Sequence, residues 1–178
     1  MLDCEQTPGL SVLAHGESVW SYYRDLFQHC VHGDPLRYTW RLPDWVYDTR
    51  LWQAQRSLSV LEEYAVYHDC GKPFCRIKGE DGRVHFPDHA SWSERIWRSV
   101  SGSDEAARLM AMDMEIHTLK AEGLEVFSKK PEWASLLIMG LCEVHSNAAM
   151  FGGLDSNSFK MKWKQINRRG RALLKLEA

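Results

Sequence analysis

An all-helical, single-domain fold is the class this sequence predicts, and three observations carry it. Apolar residues recur at intervals of three and four in one segment after another. Gly and Pro fall where those segments would end or begin. The chain has 178 residues, of which 44% are hydrophobic and 26% charged, enough for one domain with a substantial core.

Taken in order, residues 1–10 hold Pro8-Gly9 and little periodicity, and are expected as lead-in coil. Ser11 stands where it would cap a helix running from residue 12 to Cys30. Val12, His15, Val19, Tyr22, Tyr23, Leu26 and Phe27 form its apolar stripe. A histidine on such a stripe is either a satisfied core side chain or a ligand. His32-Gly33-Asp34-Pro35 ends the helix, and residues 31–51 form an aromatic-rich insertion with a short helix expected from Pro43 to Thr49. Residues 52–69 form the next predicted helix, with Leu58, Leu61, Ala65 and His68 on one stripe. Gly79-Glu80-Asp81-Gly82 is a turn signal, and the residues around it form a small hairpin or a loop. Asp88 is placed to cap a helix that starts at His89 and buries Ala90, Ser93, Ile96, Trp97 and Val100. A further helix is expected from Ser103 to Lys120, on which Asp113 and His117 are four apart and share a face. Another runs from about Pro131 to Met150, with Trp133, Leu136, Leu137, Gly140, Leu141 and Val144 apolar. A loop of small polar residues then leads to a last helix at about 158–176.

The formal net charge of −2 excludes a polycation, but the charge is uneven: Lys160 to Lys175 holds seven Lys or Arg and no acid. On the last helix Phe159, Trp163, Ile166 and Leu173 can pack, while Lys160, Lys162, Lys164, Arg168, Arg169 and Arg171 are expected mostly in solvent. Ser156, Ser158 and Lys160 at its start could receive a phosphate. The five cysteines are scattered and odd in number, no signal peptide is evident, and no apolar run is long enough to span a bilayer. A cytoplasmic protein with no membrane partner is the expectation. Cys70 and Cys75 lack a second such pair, which argues against structural zinc.

The chemistry-bearing stretch is Tyr67-His68-Asp69-Cys70-Gly71-Lys72-Pro73. His68 and Asp69 put an imidazole and a carboxylate side by side at a helix end, two metal ligands of different hardness. Lys72, Arg76, Lys78 and Arg83 follow, cations suited to phosphate oxygens. The doublet with its Gly-Lys tail, preceded by His15 and followed by His89, resembles the HD-domain metal-dependent phosphohydrolases over roughly residues 10–150.

That resemblance implies an HD-like helical bundle with a short hairpin or loop after the doublet. It implies one or two divalent transition-metal ions (Mn, Fe, Co, Ni or Zn) held among His15, His68, Asp69, His89, Asp113, His117 and Glu143. With two ions, Asp69 would bridge them. Asp113 stands where histidine is commoner in the family, and Glu143 where aspartate is usual. His85 is a rival to His89, and Asp155 to Glu143. Asp69, Lys72, Arg76 and Arg83 would be catalytic, and Lys72, Arg76, Lys78, Ser158 and Lys160 would bind phosphate. The implied activity is hydrolysis of a phosphate ester on a nucleotide or an RNA or DNA end. Three alternatives stay open: a free-nucleotide phosphohydrolase, an HD-like di-iron oxygenase, and a non-catalytic helical interaction protein. Self-association is also open.

Overall fold

The computed structural model describes residues 1–7, 9–80, 82–100 and 102–176. Pro8 of the lead-in and Asp81 of the turn lie outside the described residues. In chain order the helices are α1 (Val12–Phe27), α2 (Thr49–Gln53), α3 (Leu58–Tyr67), α4 (Lys72–Cys75), α5 (His89–Val100), α6 (Asp104–Ala111), α7 (Glu115–Thr118), α8 (Leu124–Ser128), α9 (Trp133–Ser146) and α10 (Asn157–Leu176). Two antiparallel strand pairs accompany them, β1 (Glu5–Thr7) with β2 (Leu10–Ser11) and β3 (Ile77–Lys78) with β4 (Val84–His85). The chain is therefore mostly helical, as its apolar spacing predicts. It folds as two compact units, Met1–Ser18 with Ser57–Met114 and Val19–Arg56 with Glu115–Ala178.

In the first unit, β1 and β2 pair where the sequence suggested coil. Ser11 Oγ accepts the Ala14 N–H at 3.1 Å and caps α1 as expected. The expected helix over 52–69 is two helices. The backbone leaves helical form after Gln53, and Ser57 Oγ accepts the Val60 N–H to start α3 afresh. Leu58 is therefore exposed, while Leu61, Ala65 and His68 of the expected stripe are buried together with Val60 and Tyr64. After the doublet the chain forms the hairpin, with Ile77 opposite His85 and Lys78 opposite Val84.

Asp88 does not simply cap α5: its φ of 53° is left-handed, a conformation that Asp tolerates better than most residues. Of the face expected on α5 only Ser93 is fully buried, and Val100 is exposed. α5 packs on α4 and α6, and α6 on α3.

The expected helix over 103–120 is also broken. Ser103 Oγ caps α6 through the Ala106 N–H at 3.0 Å, but residues 112–114 are turns and α7 starts at Glu115. Asp113 and His117 therefore do not share a helical face. The buried Tyr64 hydroxyl donates to Asp113 Oδ1 at 2.5 Å, a tertiary bond that holds Asp113 in the turn.

In the second unit α9 is buried on nearly every side, which explains its almost uninterrupted apolar sequence. It is shorter than expected, ending at Ser146. α10 packs on α7, α8 and α9 through Phe159, Ile166 and Leu173. Arg169 is buried rather than solvent-facing, because its Nε–H donates to the Leu119 carbonyl at 2.9 Å. The helix expected from Pro43 to Thr49 is a 3-10 turn, Asp44–Tyr47, followed by α2. Arg56 closes the segment after α2: its N–H donates to Ser135 Oγ at 3.0 Å and its guanidinium to Glu132 at 2.9 Å. Among the described residues no helix is long and apolar enough to cross a membrane.

His145 is buried in this unit and serves as a neutral polar bridge. Its Nδ1–H donates to the Leu141 carbonyl at 2.8 Å, and its Nε2 accepts the Arg41 N–H at 3.1 Å. Burial pushes its pKa down to about 4. The unfolded chain takes up this proton near pH 6.5, the folded chain only near 4. His145 thus contributes stability that is complete above about pH 6.5 and is lost as pH falls towards 4, at most roughly 3 kcal/mol. His145→Gln keeps an acceptor and a donor but cannot titrate. Urea unfolding at pH 7 and pH 4.5 should show a smaller acid loss in the variant than in the wild type, and equal losses would refute the assignment.

Candidate metal centre

The centre is built entirely within the first unit. α1 supplies His15, which is fully buried. His68 closes α3 as its C-terminal cap, and Asp69 follows it in the turn before α4. This solves the problem of a doublet on one helix, where neighbouring side chains diverge: the two residues straddle the helix end. His89 opens α5.

Two glycines allow the approach. A Cβ on Gly16, next to His15, would lie 2.1 Å from the Val66 carbonyl oxygen on α3. A Cβ on Gly71 would lie 2.4 Å from the Ser93 nitrogen and 2.7 Å from the His89 carbonyl oxygen. Only glycine fits at either place. The Gly71 N–H also donates to Ser93 Oγ at 2.9 Å, tying the turn after the doublet to α5.

His15, His68 and Asp69 bring one donor atom each to within 4.8 Å of one another, and this buried cluster can hold a metal ion. Asp69 is the hub. Its Oδ2 lies 3.2 Å from His68 Nε2 and 3.9 Å from His15 Nε2, and its Oδ1 lies 3.6 Å from His89 Nε2. Two donors about 2.1 Å from one ion and roughly 90–110° apart are separated by roughly 3.0–3.4 Å. The His68 separation falls in that range, and the other two are slightly wider.

The hydrogen bonds behind the rings fit ligation. His68 Nδ1–H donates to the Ala65 carbonyl at 2.8 Å, and His89 Nδ1–H donates to the Phe86 carbonyl at 3.1 Å. Each carbonyl lies three residues before its histidine. A carbonyl can only accept, so each ring carries a proton on Nδ1, and a metal ion would take the Nε2 position that faces Asp69. Asp69 Oδ1 is buried and accepts no hydrogen bond among the described residues. Burial disfavours the Asp69 anion, but His68, Lys72 and His15 outweigh it and hold the carboxyl far below its ordinary range. Two imidazole nitrogens and an ionised carboxylate suit a divalent transition metal.

Lys72 completes the hub. Its ammonium is buried and donates to Asp69 Oδ2 and to Gln6 Oε1, both at 2.6 Å, and sits 5.4 Å from the centre of the Phe86 ring. Gln6 lies on β1, in a segment whose sequence carries no sign of this role. Tyr64, the donor to Asp113, carries no such sign either.

The remaining candidates make other contacts or are exposed. Asp113 accepts from Tyr64. His117 and Glu143 belong to the second unit and meet each other at 2.8 Å. Arg76, Lys78, Arg83 and His85 are exposed on or beside the hairpin. At the start of α10, Ser158 is exposed and Lys160 pairs with Asp155 at 3.8 Å, while Ser156 Oγ caps the helix through the Phe159 N–H.

No protein-family model, curated protein or solved structure matches the chain. The chemistry of the site therefore rests on its own side chains.

Proposed function

We propose that the chain is a metal-dependent phosphohydrolase of the HD-domain type, acting on a phosphate ester of a nucleotide or nucleic-acid end. The observation that carries this reading is the convergence of His15, His68 and His89 on Asp69, with Lys72 at the same carboxylate. His15, His68 and Asp69 would hold one ion, and His89, facing the other carboxylate oxygen, extends the set towards a second. A divalent ion there supplies Lewis acidity, which acidifies water and offsets charge on phosphoryl oxygens.

The chain's own residues supply the rest. Asp69 stays ionised at neutral pH and anchors the site. Lys72 provides a fixed positive charge where phosphoryl charge develops. Arg76, Lys78 and Arg83 offer exposed cations to the phosphates of the substrate. On α10, in the second unit, Lys160, Lys164 and Arg168 are exposed, a basic surface that suits a nucleic-acid backbone.

The test is a panel of nucleotides and of oligonucleotides bearing terminal or cyclic phosphates. It is run without oxygen, with Mn, Co or Ni, in isotope-labelled water. The expected result is turnover under anaerobic conditions and product phosphate with one solvent oxygen. Activity that requires both iron and dioxygen would replace this reading with the oxygenase one.

A further inference from the structure

A separate feature lies in the second unit, where one buried acid pins the loop after α1. Asp25 accepts the Arg37 N–H at 2.8 Å, the Tyr38 N–H at 3.1 Å and the Trp40 Nε1–H at 2.8 Å. These bonds fix residues 37–40 against α1. They also occupy the Asp25 carboxylate with neutral donors, away from the neighbouring arginines. The result is a concavity of about 350 Å³, to which α1 contributes Ser21 and Arg24 and the loop contributes Arg37 and Tyr38. Among the described residues neither Arg24 nor Arg37 forms an ion pair.

The aromatic part is equally fixed. Tyr38 stacks on Tyr22 with centroids 4.5 Å apart and planes 20° apart, and Trp40 meets Tyr22 edge-on at 5.0 Å. Two unpaired guanidinia and a flat ring thus share one pre-formed hollow, of a volume that small-molecule sites commonly have. Arginine pairs recognise phosphate through forked, charge-assisted hydrogen bonds, and a supported tyrosine ring suits stacking of a planar base. Asp34, which also lines the hollow, can accept from a sugar hydroxyl or a base amino group. Its charge, set against two cations, disfavours a triphosphate. We propose that this hollow is a binding site for a nucleoside monophosphate, its phosphate on Arg24 and Arg37 and its base on Tyr38. The assignment stands independently of the metal centre.

The experiment is calorimetric titration of the full chain with AMP, adenosine and inorganic phosphate, in the presence of a chelator so that the metal centre does not contribute. The expected result is one AMP per chain, bound more tightly than adenosine or phosphate. Arg24→Gln and Arg37→Gln alter exposed side chains and should each weaken AMP binding roughly 10- to 100-fold. Tyr38→Ala should weaken AMP binding but leave inorganic phosphate unchanged. The proposal is overturned if AMP gives no saturable signal. It is equally overturned if both arginine variants bind AMP like the wild type, or if adenosine binds as tightly as AMP.

Discussion

His68→Ala and Asp69→Ala are each expected to purify without bound divalent metal and without phosphohydrolase activity. The helical circular dichroism of His68→Ala should stay close to that of the wild type. His68 contributes the shortest histidine distance to the hub, 3.2 Å, and its ring is aimed by the Ala65 carbonyl. Losing it removes a candidate ligand and leaves the core of α3 otherwise packed. Asp69→Ala is more disruptive, because the Lys72 ammonium is left buried beside only Gln6. Breaking a buried ion pair from one side costs about 3–5 kcal/mol. Asp69→Asn keeps the volume and separates the two effects: it should lose metal with a smaller change in secondary structure. Metal content by plasma emission spectroscopy is the deciding measurement. Wild-type stoichiometry in both His68→Ala and Asp69→Asn would end the metal-centre reading.

The hub was legible in the sequence because its residues announce themselves chemically. A His-Asp doublet followed by Gly71 marks a helix end, and that end is what lets both side chains face one point. His15 was legible only through the family resemblance, since a histidine on an apolar stripe is equally a satisfied core side chain. What holds these residues was not legible. The carbonyls of Ala65 and Phe86 aim the rings, yet a backbone group leaves no trace in residue type. Gln6 reaches Lys72 across 66 positions of sequence, from a segment with no periodicity. The helix breaks were hidden for the same reason. No glycine or proline marks the turn at 112–114, and the Tyr64 bond to Asp113 that helps hold it is a tertiary contact. The Asp113–His117 pairing failed there because four-residue spacing implies a shared face only while the helix continues. His117 instead meets Glu143, 26 positions away.

Lys72→Met is expected to make folding strongly metal-dependent. Methionine retains the unbranched stem beside Phe86 but removes the ammonium that lies 2.6 Å from Asp69 Oδ2. In metal-free protein the variant leaves the ionised Asp69 carboxylate buried with one cation fewer, at a cost of about 3–5 kcal/mol. A divalent ion bound by His15, His68 and Asp69 would restore positive charge at the same carboxylate. Since such an ion binds the folded chain and not the unfolded one, it adds stability as its concentration exceeds its dissociation constant. The thermal midpoint of Lys72→Met should therefore fall by roughly 10 °C in chelator. With saturating manganese it should recover most of that loss. Turnover should stay low in both conditions, because the charge proposed to face the phosphoryl group is absent from the variant. Thermal unfolding of wild type and variant, each with chelator and with manganese, separates the possibilities. An equal deficit in both conditions would mean that metal does not act at Asp69, and that Lys72 serves only to neutralise a buried acid.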